Sequence, residues 1–158
     1  MVQWAWMRLD AGEASNDKVE SFNTEAQRHR EKENINSLSD SVIGAAIEVH
    51  RQLGGPGLLE KVYENALAKE LKLRGIPCRQ QVQVPVIYKG EKIHDDFVLD
   101  LIVDDRIIVE VKATTQENSI FQAQLLTYLR LVDKRFGLLI NFGNMLVKDG
   151  VHRIVNGY

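Results

Sequence analysis

The chain has 158 residues, 44% of them hydrophobic, which suits one domain burying about two-thirds of its unfolded surface and calls for no second one. A formal charge of -2 at pH 7 excludes a globally basic protein, so any contact with nucleic acid has to come from a local patch. The single cysteine, Cys78, excludes an internal disulfide and argues against zinc; without a run of about 18 apolar residues or a secretory leader, a soluble cytoplasmic protein with no membrane attachment is expected.

Residues 1–36 show no sustained apolar period, and "EAQRHREKEN" is densely charged, so they read as a poorly ordered N-terminal extension with transient helix near Thr24 to Glu33. Trp4 and Trp6 belong to that extension and are read as the product of an upstream start site or of an appended, non-native leader rather than as a docking anchor. The folded domain is expected to span residues 37–158. At its start "SLSD" has the form of a capping box, with Ser37 as cap, opening a helix whose Val42, Ala46, Val49 and Leu53 form an apolar stripe ending at "GGPG". His50 sits beside that stripe with no His or Cys partner at ligand spacing, so it is expected to be structural or exposed rather than a metal ligand.

A second helix is predicted from about Leu58 to Arg74, stopped by Gly75 and Pro77. Glu60, Tyr63, Glu64 and Leu67 share one of its faces. From the residues alone, Glu64 reads as a solvated carboxylate and Tyr63 as cover for the core edge. "QQVQVPVIYKG" alternates as a half-buried strand does, Pro85 marks an edge or a bulge, and Gly90 permits the turn that follows. His94, Asp95 and Asp96 read as a hydrated strand entry.

The stretch "FVLDLIVDDRIIVEVKATT", residues 97 to 115, reads as two strands and a tight turn. Asp100, Glu110 and Lys112 interrupt apolar runs there, and an ionised group among Val, Ile and Leu costs several kcal/mol unless something compensates it. Strand alternation puts Glu110 and Lys112 on one face, about 6 to 7 Å apart. Asp100 joins them only if Asp104, Asp105 and Arg106 form a three-residue loop, or if a bulge shifts the register. That same loop would set Phe97, Leu99, Leu101 and Val103 on the face of Ile107, Val109 and Val111. Two converging carboxylates repel one another, and a hard divalent cation such as Mg²⁺ or Mn²⁺ relieves the repulsion with oxygen ligands; a lysine beside it can orient water or offset phosphate charge. The alternative is a buried Glu110–Lys112 ion pair next to a strand-end aspartate, and for an isolated match of this kind it is the simpler reading.

After Lys112, Asn118 or Ser119 caps a helix with Phe121, Leu125, Tyr128, Leu129 and Val132 as its buried stripe, and Gln124 falls on the same stripe. An amide there needs a partner, since an unsatisfied buried polar group costs about 1 to 3 kcal/mol. "FGLLINFG" is a strand buried on both faces, and "VKDGVHRIV" completes the sheet before Asn156 to Tyr158 fray. Lys134, Arg135, Lys148 and Arg153 are candidates for phosphate contacts.

Gly57, Glu60 and Tyr63, then Asp100, Glu110 and Lys112, then Gln124 and Tyr128, in this order, resemble the GxxExxY group of the PD-(D/E)XK nuclease-like superfamily. The resemblance covers roughly Ser37 to Tyr158 and departs from the family in one place, where Gly54 and Gly55 stand for a single glycine. It implies an α/β restriction-endonuclease-like fold, a mixed sheet flanked by helices in one domain. It also implies Mg²⁺-dependent or Mn²⁺-dependent phosphodiester hydrolysis on nucleic acid, DNA being the expected substrate. Asp100, Glu110 and the Val111 carbonyl would then bind metal, with Glu60 as a further ligand braced by Tyr63. Lys112 would position the attacking water, Gln124 would make an orienting contact to that water, to Lys112 or to a DNA phosphate, and Tyr128 would support the site. A homodimer is compatible with cutting two strands. The competing expectations are a non-catalytic binding or assembly module that keeps the fold, and a hydrolase of a small phosphorylated metabolite.

Overall fold

A computed structural model describes residues 13–157, with side chains from residue 24 onward, so Trp4, Trp6 and Tyr158 lie outside the described residues. The chain divides into two units, Met1–Ser37 and Leu38–Tyr158. Helix α1 spans Glu13–Gln52. In the first unit residues 24–34 are exposed on all sides, and His29 Nδ1 lies 3.3 Å from Glu33 Oε1 one turn on. Ser37 is therefore no cap: Glu, Ala, Gln, Arg and Lys are good helix formers, and their propensity carries the helix through it.

In the second unit α1 buries Val42, Ala45, Ala46 and Val49, whereas Leu53 follows the helix end and stays exposed, contrary to the expected stripe. The remaining elements are α2 Glu60–Leu73, β1 Cys78–Tyr88, β2 Glu91–Val103, β3 Ile107–Lys112, α3 Ser119–Leu131, β4 Phe136–Asn141, a short 3₁₀ turn Val147–Gly150 and β5 Val151–Val155. The strands lie in the order β1-β2-β3-β4-β5. All pairs are antiparallel except β3 with β4, which are parallel and joined by α3. The expected order of elements and the expected mixed sheet flanked by helices are both present. Asn118 is the α3 cap, its Oδ1 accepting the Ile120 N–H at 3.0 Å. β1 is an edge strand, and its pairing with β2 shifts between Val84 and Val86, so Pro85 marks both an edge and a bulge.

The β2–β3 turn has the expected three-residue loop, with Val103 opposite Ile107, Ile102 opposite Ile108 and Leu101 opposite Val109. Asp104 and Asp105 take positive φ of 49° and 54°, a conformation acidic and amide residues tolerate better than most, and the Arg106 N–H closes on the Val103 carbonyl at 3.0 Å. Arg106 pairs with Asp104, while Arg79 and Lys134 hold Asp105 at 3.0 and 3.1 Å.

Each sheet face has its own apolar layer. Ile102, Ile108 and Leu139 pack with Leu125, Tyr128 and Leu129 of α3. On the other face Cys78, opposite Val103, places its Sγ 3.9 Å from the Ala68 carbonyl of α2, whose Tyr63, Leu67 and Leu71 are fully buried. The single apolar surface expected from Phe97 to Val103 is not formed. Leu99 belongs to the α3 layer and Phe97 packs against Tyr128 at 5.6 Å. The change of side occurs around Asp100, opposite Gln81, whose φ of 52° inverts the β1 backbone between the pairs Gln80–Leu101 and Val82–Leu99.

Candidate active site

The β2–β3 ladder ends at Leu101 and Val109. Beyond that point β2 continues only with β1, and β3 continues with β4 as far as Lys112 opposite Asn141. The strands part at the residues the sequence singled out. One step past the last pair, register sets Asp100 opposite Glu110, and the Val111 N–H donates to Asp100 Oδ2 at 2.8 Å. A carboxylate thus takes a ladder position where the partner strand's carbonyl would otherwise stand.

Glu110 is buried at 5% exposure, with Oε1 3.3 Å from Lys112 Nζ. Its Oε2 is also buried and has no hydrogen-bond partner among the described residues. Burial, and after it the charge of Asp100, pushes the Glu110 carboxyl up to about 7; Lys112 opposes the shift without cancelling it. Asp100 also rises, chiefly through burial, with the charges of Glu64 and Glu60 adding to it and the Val111 N–H acting against it. Burial and the Glu110 charge raise the Tyr128 hydroxyl as well. Lys112 sits 5.0 Å over the Phe121 ring of α3 and is mostly buried, which leaves its ammonium little freedom beside Glu110.

Both sides of this pair of carboxylates ask for positive charge. An orphaned carboxylate oxygen and two carboxyls whose proton affinity is raised are the features a hard divalent cation removes. The donor set is small: among the described residues no group of three His, Cys, Asp or Glu side chains closes around one point. Two carboxylates, with the remaining positions filled by water, suit Mg²⁺, which retains much of its hydration, better than an all-protein cage would.

The other expected site residues are placed as follows. Glu60 opens α2 and is exposed; its charge acts on both Asp100 and Glu110. Tyr63 is fully buried, and its hydroxyl donates to the Gly55 carbonyl at 2.8 Å and accepts the Leu58 N–H at 3.2 Å. Its ring stacks on Phe142 at 4.7 Å. Tyr63 therefore ties down the turn leading into α2, in which Gly54, Gly55 and Gly57 all take positive φ, and any bracing of Glu60 passes through that turn. Gln124 lies at the exposed rim of α3 rather than in its buried stripe, because its position is set to one flank of Leu125, Tyr128 and Leu129; its Nε2 donates to the Tyr128 hydroxyl at 2.7 Å. Of the four proposed phosphate contacts, Lys134 is held by Asp105, Arg153 pairs with Ser39 and Asp40 of α1, Arg135 lies 5.6 Å from the Phe136 ring, and Lys148 is exposed.

Buried polar residues near the site also escaped the sequence reading, Glu64 and Asn141 among them. Glu64 is 3% exposed rather than solvated, and accepts from Lys61, Gln80 and Gln81. Asn141 accepts the Thr114 and Gly143 N–H groups, each at 3.0 Å, and donates to the Thr114 carbonyl at 2.9 Å, fixing the chain as it leaves Lys112. The doublet Gln80–Gln81 was the available signal for Glu64, since two amides on a half-buried edge strand need an acceptor.

The sequence model of the PD-(D/E)XK nuclease superfamily matches residues 36–154, a span that contains every residue of the site just described. No curated protein and no solved structure gives a significant match.

Proposed function

Since the chain belongs to the PD-(D/E)XK nuclease superfamily, we propose that it is a divalent-metal-dependent nuclease of the GxxExxY group that hydrolyses phosphodiester bonds in DNA. The observation that carries this reading is Glu110 Oε2, a buried carboxylate oxygen with no partner among the described residues, opposite Asp100 in the cleft that opens where β2 and β3 cease to pair. In this reading Asp100, Glu110 and the Val111 carbonyl hold Mg²⁺ or Mn²⁺, and Glu60, exposed at the start of α2, adds a contact directly or through water. The bound ion supplies Lewis acidity toward the phosphate and a more acidic water. Lys112, constrained between Glu110 and the Phe121 ring, orients the attacking water and offsets charge gathering on the phosphate oxygens. Gln124 and Tyr128 form a hydrogen-bonded pair on α3 that orients the substrate side of the cleft.

The test is calorimetric titration of Mg²⁺ and Mn²⁺ into the wild type and an Asp100→Asn, Glu110→Gln double variant, followed by incubation of each with labelled DNA and labelled RNA. Binding and DNA cleavage by the wild type alone are expected, and Lys112→Ala should retain the metal while losing cleavage. Wild-type rates in Lys112→Ala would refute the mechanism. Cleavage of RNA but not DNA would reassign the substrate, and absence of divalent binding would leave the non-catalytic module.

A further inference from the structure

Glu64 is the most heavily hydrogen-bonded side chain near the cleft, yet it lies outside the three residues that define it. Its Oε1 accepts from Lys61 Nζ at 2.9 Å and from Gln80 Nε2 at 3.2 Å, and the Gln81 amide spans both carboxylate oxygens at 2.9 and 3.0 Å. With three donors on one oxygen and one on the other, this carboxylate is occupied by protein groups and is not a spare metal ligand. What it holds is informative. Gln81 is a non-glycine residue at a φ of 52°, a left-handed conformation that costs an ordinary side chain about 1 to 2 kcal/mol. Register places it opposite Asp100, between the pairs Gln80–Leu101 and Val82–Leu99. That is where β2 sends Leu99 to the α3 layer and leaves Asp100 free to take the Val111 N–H.

We propose that Glu64 is a positioning residue: by clamping the Gln81 side chain to α2 it maintains the inverted backbone of β1 opposite Asp100, and so sets where the Asp100 carboxylate sits in the cleft. Strain at Gln81 is stored by the clamp, and release of the clamp lets the edge strand relax toward ordinary pairing. The charge of Glu64 reaching Asp100 agrees with the closeness this requires. The inference deepens the nuclease reading, although its central claim concerns the metal-free geometry.

The experiment follows amide hydrogen exchange at Val111 in the metal-free full-length protein, because that N–H is bonded to Asp100, with Ile108 of the same strand as an internal reference. Gln81 is exposed, so its variants are expected to fold. Gln81→Ala should speed Val111 exchange at least tenfold relative to Ile108, whereas Gln81→Gly, which adopts positive φ freely, should stay within about threefold of wild type. Glu64→Ala should reproduce the alanine effect in the wild type and add less than threefold in the Gln81→Gly background, a non-additivity that a purely stabilising Glu64 would not give. Unchanged Val111 exchange in Gln81→Ala, or an undiminished Glu64→Ala effect in the glycine background, overturns the proposal. Mn²⁺ titration of the same proteins separates the two readings. If the wild type binds, Gln81→Ala and Glu64→Ala should weaken binding about 10 to 100-fold, as loss of a ligand-orienting group does. If the wild type does not bind while Val111 exchange responds as stated, the clamp is upheld and the metal reading fails.

Discussion

Replacing Glu110 by Gln tests the electrostatics of the cleft without any substrate. Its carboxyl is held at about 7 instead of 4.5, first by burial and then by the Asp100 charge. Over that interval the native protein retains a proton which the unfolded chain releases. The stability this proton provides is complete below about pH 4.5 and is lost as pH rises through 7, at about 1.4 kcal/mol per pH unit. The full loss is about 3 kcal/mol, most of it between pH 5 and 8. Glutamine keeps the shape and an oxygen that can accept from Lys112, but it does not titrate. Urea unfolding followed by far-ultraviolet circular dichroism, in chelator at pH 5 and pH 8, should therefore show the wild type losing about 2.5 kcal/mol more than the variant. Other titrating groups cancel in the difference, Asp100 among them, because its upward shift comes from burial and from the charges of Glu64 and Glu60, which the substitution leaves in place. Equal pH dependence in the two proteins would refute the claim that Glu110 is buried in a site short of positive charge. Addition of Mg²⁺ at pH 8 should restore the wild type and leave the variant unmoved.

Tyr63→Phe removes a hydroxyl that donates to the Gly55 carbonyl and accepts the Leu58 N–H, so it should cost about 1 to 3 kcal/mol in urea unfolding while leaving Mn²⁺ affinity unchanged; weakened affinity would show that the α2 entry turn controls the cleft. Gly143→Ala would place a Cβ 2.2 Å from the Thr114 carbonyl oxygen, a backbone contact no rotamer can relieve, and should destabilise by about 3 kcal/mol or more; an unchanged melting temperature would contradict the close approach of the β4 exit to the chain leaving β3.

The hairpin was legible because two independent demands converged on one register. Covering Ile107, Val109 and Val111, and bringing Asp100 to Glu110, both required the loop Asp104–Arg106, and that loop is present. The capping asparagine and the buried stripe of α3 were legible for a local reason: a helix start and a period of 3.6 are written in adjacent residues. What escaped depended on partners far away in the chain. Glu64 looks solvated until Gln80 and Gln81, 16 and 17 residues on, are brought to it. The division of Phe97, Leu99 and Leu101 between two sheet faces follows from one inverted residue on the neighbouring strand, and alternation within β2 contains no trace of it. Gln124 was placed in the core because spacing fixes a helix face only to within a residue's width, and its amide lies on the flank.

The position of the cleft explains why the charged residues fall where they do. A carboxylate in the middle of a fully paired sheet would meet backbone groups already satisfied by neighbouring strands, and it would lie under the apolar layer of a helix. Where β2 and β3 part, the Val111 N–H is released from the ladder and becomes a donor for Asp100. The same parting leaves Glu110 short of donors, with Lys112 serving one oxygen and no group among the described residues serving the other. The asymmetry between the two acids follows from this. Asp100 has a backbone donor that lowers its cost as an anion, while Glu110 has only a partly screened lysine and carries the larger upward shift. A cation entering the cleft would therefore gain most from Glu110, and the first proton it displaces at neutral pH would come from that residue. Metal binding by the wild type should release close to half a proton at pH 7 and progressively less at pH 8, measurable as the dependence of binding enthalpy on buffer ionisation; uptake of protons instead would invert the assignment.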